Sequence, residues 1–240
     1  MTDPTLDEIL EDLRTHGAAL LSDRRLPEPG LIEAMAEAHS LRVLSSVLAA
    51  RLPEPARWQG ILADVDLDQD ELIEDLQCYR QRDFSAASYF DIACYSNGFY
   101  ARLSHHLSHA LLAAGERHCA LLLQSVSTRV FGADLHPSAA LGRRLFLDHG
   151  VGVVIGETAT VGNDCSIFHG VTLGSTARHS GQRHPTVGNH VVLGAGATII
   201  GAISIGDDAQ IAAGAVVTFD VPSGGRVTSQ GLLRETDAAR

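Results

Sequence analysis

DLHPSAALGRRLFLDHGVGVVIGETATVGNDCSIFHGVTLG, residues 134–174, and TVGNHVVLGAGATIIGAISIGDDAQIAAGAVV, residues 186–217, are the two stretches that decide the fold. The first spaces Leu135, Leu141 and Leu147 six residues apart, takes one eight-residue step to Ile155, and resumes the spacing through Val161, Ile167 and Leu173. The second continues it through Val187, Leu193, Ile199, Ile205, Ile211 and Val217. Six is neither the 3.6-residue period of an amphipathic helix nor the two-residue alternation of an isolated strand, so the segment reads as a repeat. Each hexapeptide supplies a short strand and a turn, with the aliphatic residue pointing inward and a small residue such as Gly142 or Gly156 at the corner after it. Three such faces close a triangular coil of about eighteen residues, and stacked coils bury a continuous aliphatic column that one coil alone cannot.

The repeat leaves the N-terminal half of a 240-residue chain for a second unit. With 18 basic and 29 acidic residues the net charge is −11, which excludes general affinity for nucleic acid or an anionic membrane surface. An anionic ligand then requires a local basic patch. Cys78, Cys94, Cys119 and Cys165 are scattered without a CxxC pair or metal-ligand spacing, the pattern of a reduced, cytoplasmic protein with free thiols. The opening MTDPTLDEILEDLR has no apolar signal core, and no stretch approaches the roughly 18 apolar residues of a membrane span.

The first half reads as helices. Leu6, Ile9, Leu10, Leu13 and Leu20 share one helical face over Thr5 to Leu21, and similar faces recur over Leu31 to Leu52 and Asp66 to Gln81. Pro27 with Pro29 and Pro53 with Pro55 separate them as helix ends. Two more apolar segments, Ile92 to Ala114 and Glu116 to Phe131, lead into the repeat. His105 and His109 are four apart, as zinc ligands often are, but no Glu lies between them and no third ligand is evident. A packed or solvent-facing histidine face is the expected reading.

Two places in the repeat carry polar residues against its pattern. Asp134 and His149 are fifteen residues apart, three short of a coil, a spacing that permits approach across adjacent coils. An imidazole held by a carboxylate is a good general base near neutral pH, although either group can equally serve a coil corner; for His136 the corner role is expected. The second place is STARHSGQRHPT, residues 175–186, about eight residues longer than a regular step and the most basic stretch of an acidic chain. Arg183 can bind a carboxylate bidentately and His184 can hydrogen-bond a polar substrate group.

In its repeat the chain resembles the left-handed parallel β-helices of the hexapeptide acyltransferases, and it is the resemblance that implies the hand. DLHP at 134–137, LDHG at 147–150 with Gly152, VIGET at 154–158, VTLG at 171–174 and RHP at 183–185 are similar in order and spacing to the serine O-acetyltransferases. Arg82 and Asp83 match more weakly. The resemblance implies an α+β chain: a helical assembly domain over 1–132, a left-handed parallel β-helix over 133–222 with an extruded loop at 175–186, and a tail over 223–240. It further implies acetyl transfer from acetyl-CoA to L-serine, with no metal. His149 is then the general base paired with Asp134, Asp83 and Asp148 hold the amino acid, and Arg183 with His184 recognises its carboxylate and hydroxyl. Gly174, Ser175 and Ala195 lie where backbone N–H groups meet the thioester and pantetheine arm, with Arg226 as a replacement phosphate contact. The resemblance also implies active sites between the β-helices of a homotrimer, which can pair into a dimer of trimers.

The chain departs from the family at Phe84, where Pro is usual, at Ser175, which replaces a second Gly, and after Pro222, where SGGRVTSQGLLRETDAAR ends without the usual terminal Ile. Docking to the next enzyme of cysteine synthesis is therefore not expected. Transfer to a related amino acid such as homoserine stays open. So does a catalytically reduced scaffold, against which the retention of Asp134, His149, Arg183 and His184 counts. A γ-type carbonic anhydrase shares the solenoid but needs three zinc histidines in a set spacing.

Overall fold

The structure is a computed structural model that describes residues 4–21, 35, 37–176, 180–229 and 231–232. The six-residue spacing becomes three parallel sheets that form the sides of a left-handed triangular β-helix. The first stacks β1 (Asp134–Leu135), β4 (Val154–Ile155), β7 (Thr172–Gly174), β10 (Thr198–Ile200) and β13 (Val216–Val217). Its register superposes Leu135, Ile155, Leu173, Ile199 and Val217. The second stacks β2 (Ala140–Leu141), β5 (Thr160–Val161), β8 (Thr186–Val187) and β11 (Ser204–Ile205). The third stacks β3 (Phe146–Leu147), β6 (Ser166–Ile167), β9 (Val192–Leu193), β12 (Gln210–Ile211) and β14 (Arg226–Thr228), closed by the antiparallel β15 (Gly231–Leu232). Apart from the half-buried Leu141, the inward residues from Leu135 to Val227 are buried, each worth about 1.5–3 kcal/mol relative to exposure.

Three edges join the sheets. The first edge leads from the third sheet to the first, the second from the first sheet to the second, and the third from the second sheet to the third. Along the third edge Asn163, Asn189 and Asp207 form a ladder: their side chains accept the N–H groups of Arg143 (2.8 Å), Asn163 (2.9 Å) and Asn189 (2.7 Å). Coil building also continues past Pro222, the boundary expected from the sequence. Val221 bridges to Ile205 and β14 pairs with β12, burying Val221 and Val227. The four-residue step from Val217 to Val221 breaks the six-residue phase and hides this last turn.

Among the described residues the helical half contains α1 (Leu6–Leu21), α2 (Arg42–Arg51), α3 (Pro55–Ala63), α4 (Gln69–Arg82), α5 (Tyr89–Tyr95), α6 (Asn97–Ala113) and α7 (Arg117–Phe131). The segment expected over 31–52 falls partly outside the described residues, which are helical at Met35 and over Arg42–Arg51. Helix α3 was expected as a gap, but Pro55 opens it at a position whose missing N–H needs no partner. The segment expected from Ile92 to Ala114 is two helices. Ser96 ends α5 and its hydroxyl accepts the Phe99 N–H at 3.2 Å, starting α6 on a new axis. Among the described residues no helix is long and apolar enough to cross a membrane.

A buried ionic cluster fastens these helices to the first coil. Arg102, on α6, donates to Asp75 (3.0 Å), Glu71 (3.1 Å) and the Gly142 carbonyl (2.8 Å), while Asp75 also accepts the Arg144 N–H (3.1 Å) and contacts His106 Nε2 (2.8 Å). Desolvation alone would raise the Asp75 pKa, but Arg102 and His106 outweigh it and hold the carboxyl below the usual range. The Tyr79 hydroxyl accepts the Leu147 N–H at 3.1 Å, its ring edge-on to Phe99 and Phe146. His105 Nε2 (3.2 Å) and His109 Nδ1 (2.7 Å) face the carbonyls of Ala139 and Pro137 and tie α6 to the second edge. Burial pushes the His105 ring well below the ordinary imidazole range.

At Gly98 the start of α6 lies directly on β3: a Cβ there would sit 2.0 Å from the Leu147 carbonyl oxygen. Gly98→Ala is expected to destabilise the protein by about 3 kcal/mol in chemical denaturation. Gly60→Ala, in an exposed helical site with nothing within 4 Å, should stabilise it by up to about 1 kcal/mol. Stability is also expected to fall with acid. An unfolded chain protonates His105 as the pH drops through 6.5, whereas the folded ring stays neutral to much lower pH, so protons favour unfolding in that interval. The melting temperature should decline from about pH 7 to about pH 5, and His105→Gln should flatten the decline without abolishing it. His136 and His184, also held below 6.5, contribute to the same interval.

Candidate active site

Asp148 and His149 stand where the coil is irregular. The Gly170 N–H bonds the Val151 carbonyl (2.9 Å) and the Asp148 N–H bonds the Ile167 carbonyl (2.9 Å), so the coils stay in step on both sides of His149 and Gly150. These two residues are the insertion behind the eight-residue step between Leu147 and Ile155. The insertion bulges from the first edge. His149 holds a left-handed backbone (φ 59°) uncommon for a residue with a Cβ, and its side chain is 74% exposed. The bulge is seated on α6, where a Cβ on Gly150 would lie 3.0 Å from Gly98 Cα.

The bulge forms one wall of an open pocket of about 480 Å³. The other wall comes from the α4–α5 connection, α5 and the first residue of α6, with Asp83, Ser85, Asp91, Tyr95 and Asn97 at its lining. Asp83 accepts from the Ser85 N–H (2.9 Å) and hydroxyl (2.6 Å), and Asp91 accepts the N–H groups of Ala87 (2.8 Å) and Ser88 (3.1 Å) in a capping box. Three carboxylates, Asp83, Asp91 and Asp148, therefore face one concavity, with the Asp148 carboxylate 3.7 Å from His149 Nε2. Such a pocket suits an ammonium group. His169, one coil further along the same edge, meets the His149 ring edge-on at 6.1 Å. Asp91, Tyr95 and His169 escaped sequence reasoning, since nothing in their spacing marks them. Phe84 is 99% exposed and does not line the pocket.

Asp134 lies on the outer face of the first sheet, where its carboxylate accepts from Gln124 Nε2 at 2.6 Å. Among the described residues no hydrogen bond or ion pair within 4.0 Å joins Asp134 to His149. The basic half of the expected site is on the second edge. Thr158 Oγ1 accepts the N–H groups of Arg183 (3.1 Å) and His184 (3.2 Å), and the Thr158 N–H donates to His184 Nδ1 (3.2 Å). That N–H makes Nδ1 an acceptor and leaves the ring proton on Nε2, a donor. Desolvation, then the Arg183 charge, lowers the His184 pKa and keeps the ring neutral. Arg183 pairs with Glu157, whose carboxyl the guanidinium holds below its usual range. His136 Nδ1 accepts the Ser138 N–H (3.1 Å), a corner role. Arg178 and His179 lie outside the described residues.

Within one chain the two halves thus occupy different edges of the prism, and the same holds for the residues expected at the coenzyme. Ala195 shares the first edge with His149, Gly174 and Ser175 open the loop on the second, and Arg226 lies on the outer face of the third sheet. Among the described residues no group of three or more His, Cys, Asp or Glu is placed to hold a metal.

Residues 184–218 match the family model described as bacterial transferase hexapeptide (six repeats). Over 233 residues, 93% of this chain and 72% of the relative, the sequence is 40% identical to serine acetyltransferase 2 of Arabidopsis thaliana. The structure resembles a serine acetyltransferase of Brucella abortus in complex with coenzyme A (TM-score 0.85, 34% identity, 94% of both chains). It also resembles the soybean serine acetyltransferase complexed with serine (TM-score 0.87, 33% identity, 94% of this chain and 96% of that one).

Gly156 makes the second edge testable on its own. A Cβ there would lie 2.1 Å from His184 Nε2, so Gly156→Ala must expel the buried ring and break its bonds to Thr158. A loss of about 2 kcal/mol in unfolding free energy is expected. In ¹⁵N NMR the His184 signals should lose the neutral, Nε2-protonated pattern.

Proposed function

The chain is an acyltransferase that belongs to the serine acetyltransferase family, and on that premise we propose that it acetylates the L-serine hydroxyl by direct attack, with His149 as general base. Serine Oγ attacks the thioester carbonyl of acetyl-CoA as His149 takes its proton. The tetrahedral intermediate then collapses, the C–S bond breaks, and the CoA thiolate recovers the proton from the imidazolium. Asp134 orients the imidazole and stabilises its charged form. No acyl-enzyme forms; the buried Cys78 and Cys165 thiols are pushed up to about 11, which makes them poor nucleophiles. The O-acetylserine so formed serves cysteine synthesis.

The observation that carries this reading is the division of the site between two edges. The acidic pocket of Asp83 and Asp148 beside His149 suits the serine ammonium, and Arg183 with the Nε2–H of His184 suits its carboxylate and hydroxyl. One small amino acid cannot bridge both edges of one prism. The first edge of one subunit against the second edge of the next, around a threefold axis, brings them together. A trimer therefore has three sites, each built from two chains, with backbone N–H groups near Gly174 of one chain and Ala195 of the other available to the thioester oxygen and pantetheine arm.

Thiol release from acetyl-CoA is expected with L-serine and much less with homoserine or threonine. His149→Ala should lower kcat/KM at least about a hundredfold; unchanged release would remove His149 as the base. Co-expressed His149→Ala and Arg183→Ala chains should regain about a quarter of the wild-type sites through mixed trimers. If the mixture stays as inactive as either variant alone, the site lies within one chain.

A further inference from the structure

The Asp134 carboxylate is held from outside the β-helix. Gln124 is on α7, ten residues before Asp134, and its Nε2 donates to Asp134 Oδ1 at 2.6 Å. An ionised carboxylate only accepts and the amide donates only through nitrogen, so the contact fixes which way the Gln124 amide points. No other hydrogen bond to the Asp134 side chain occurs among the described residues, so Oδ2 stays available as an acceptor. Gln124 is itself half-buried among polar side chains of α6 and α7, including Ser104, Ser108 and Ser127. The Gly152 N–H bonds the Gly132 carbonyl at 2.8 Å, which sets the His149 bulge on the coil directly beyond the Gly132–Asp134 segment.

We propose that Gln124 is a positioning residue for the reaction: by occupying Oδ1 of Asp134 it fixes the carboxylate plane and presents Oδ2 to the imidazole of His149. The proposal rests on the reading of Asp134 as the partner of His149. It assigns the helical half a part in the chemistry besides assembly, because the side chain that orders the acid–base pair comes from the last helix. A carboxylate with one oxygen pinned loses less rotational freedom when the imidazole bonds the other, so the pair forms at lower cost as substrate arrives.

Three variants of the full-length protein test it. Gln124→Met keeps length and removes the donor; it should lower kcat about tenfold with KM for serine and acetyl-CoA unchanged. In an Asp134→Asn background the same change should cost nothing further, since there is no longer a carboxylate to orient. Gln124→Glu sets a second carboxyl against Asp134, and the two share a proton. Protonated, the new Glu still donates to Asp134; ionised, it repels it. Its kcat relative to that of Gln124→Met should therefore fall as pH rises from about 6 to about 9, a profile that loss of packing does not produce. The proposal is overturned if Asp134→Asn is impaired while Gln124→Met has wild-type kcat, or if the two losses are additive in the double variant. If Asp134→Asn itself keeps wild-type kcat, the pairing with His149 falls and this proposal with it, whereas thiol release and the dependence on His149 stand.

Discussion

Parallel stacking of one inward aliphatic residue on the next is the constraint on which everything else hangs. Leu135, Ile155, Leu173, Ile199 and Val217 superpose in the first sheet, and the two companion columns do the same. Because each column must stay filled, every residue beyond the six-residue step has to leave the prism at an edge. The two excursions between Leu135 and Val217 carry residues of the proposed site. The short one, His149 and Gly150, projects an imidazole; the long one, residues 175–186, carries Arg183 and His184 back onto the edge. A rigid solenoid converts sequence length into position in space, which is why the proposed site gathers where its period fails.

The helices complete what the coils begin. The pocket beside His149 has its second wall in the α4–α5 connection and α5, and that wall is held by the contact of Gly98 on Leu147 and by the Asp75–Arg102 cluster. Asp75 and Arg102 are each 1% exposed, so the pair is bound to its companions Glu71, His106 and the Gly142 carbonyl: a lone charge at that depth would cost several kcal/mol. One ionic cluster thus ties the helices that carry the acidic wall to the coils that carry His149. Gln124 extends the same logic, a helical side chain reaching the outer face of the first sheet to hold Asp134.

Much of this was legible in the residues themselves. The six-residue phase marks the inward residues that fill the three columns, and the motifs at 134–137, 147–150 and 183–185 mark the groups around which the proposed site is built. Illegible were features whose signal lies in three dimensions. Ser96 divides an apolar segment that reads as one helix, because a single hydroxyl cap outweighs the continuity of the pattern. Pro55 looks like a break and is a start. The last coil is masked by one four-residue step. His105 and His109 have the spacing of metal ligands, yet each faces a backbone carbonyl across the junction, a fact of packing that spacing does not contain.

The sequence by itself determined the solenoid, the residue types of the chemistry and the family, because periodicity and motif order are local properties that need no partner to be read. Only the tertiary structure decided how those residues are shared out. It placed Asp83, Asp91 and Asp148 around one pocket, Arg183 and His184 on another edge, and Gln124 on Asp134, since which edge a residue occupies depends on the summed length of every step before it. Residues that the proposed reaction needs together are thereby set apart in the chain's own fold, and a rigid prism offers no bend that would bring its two edges together.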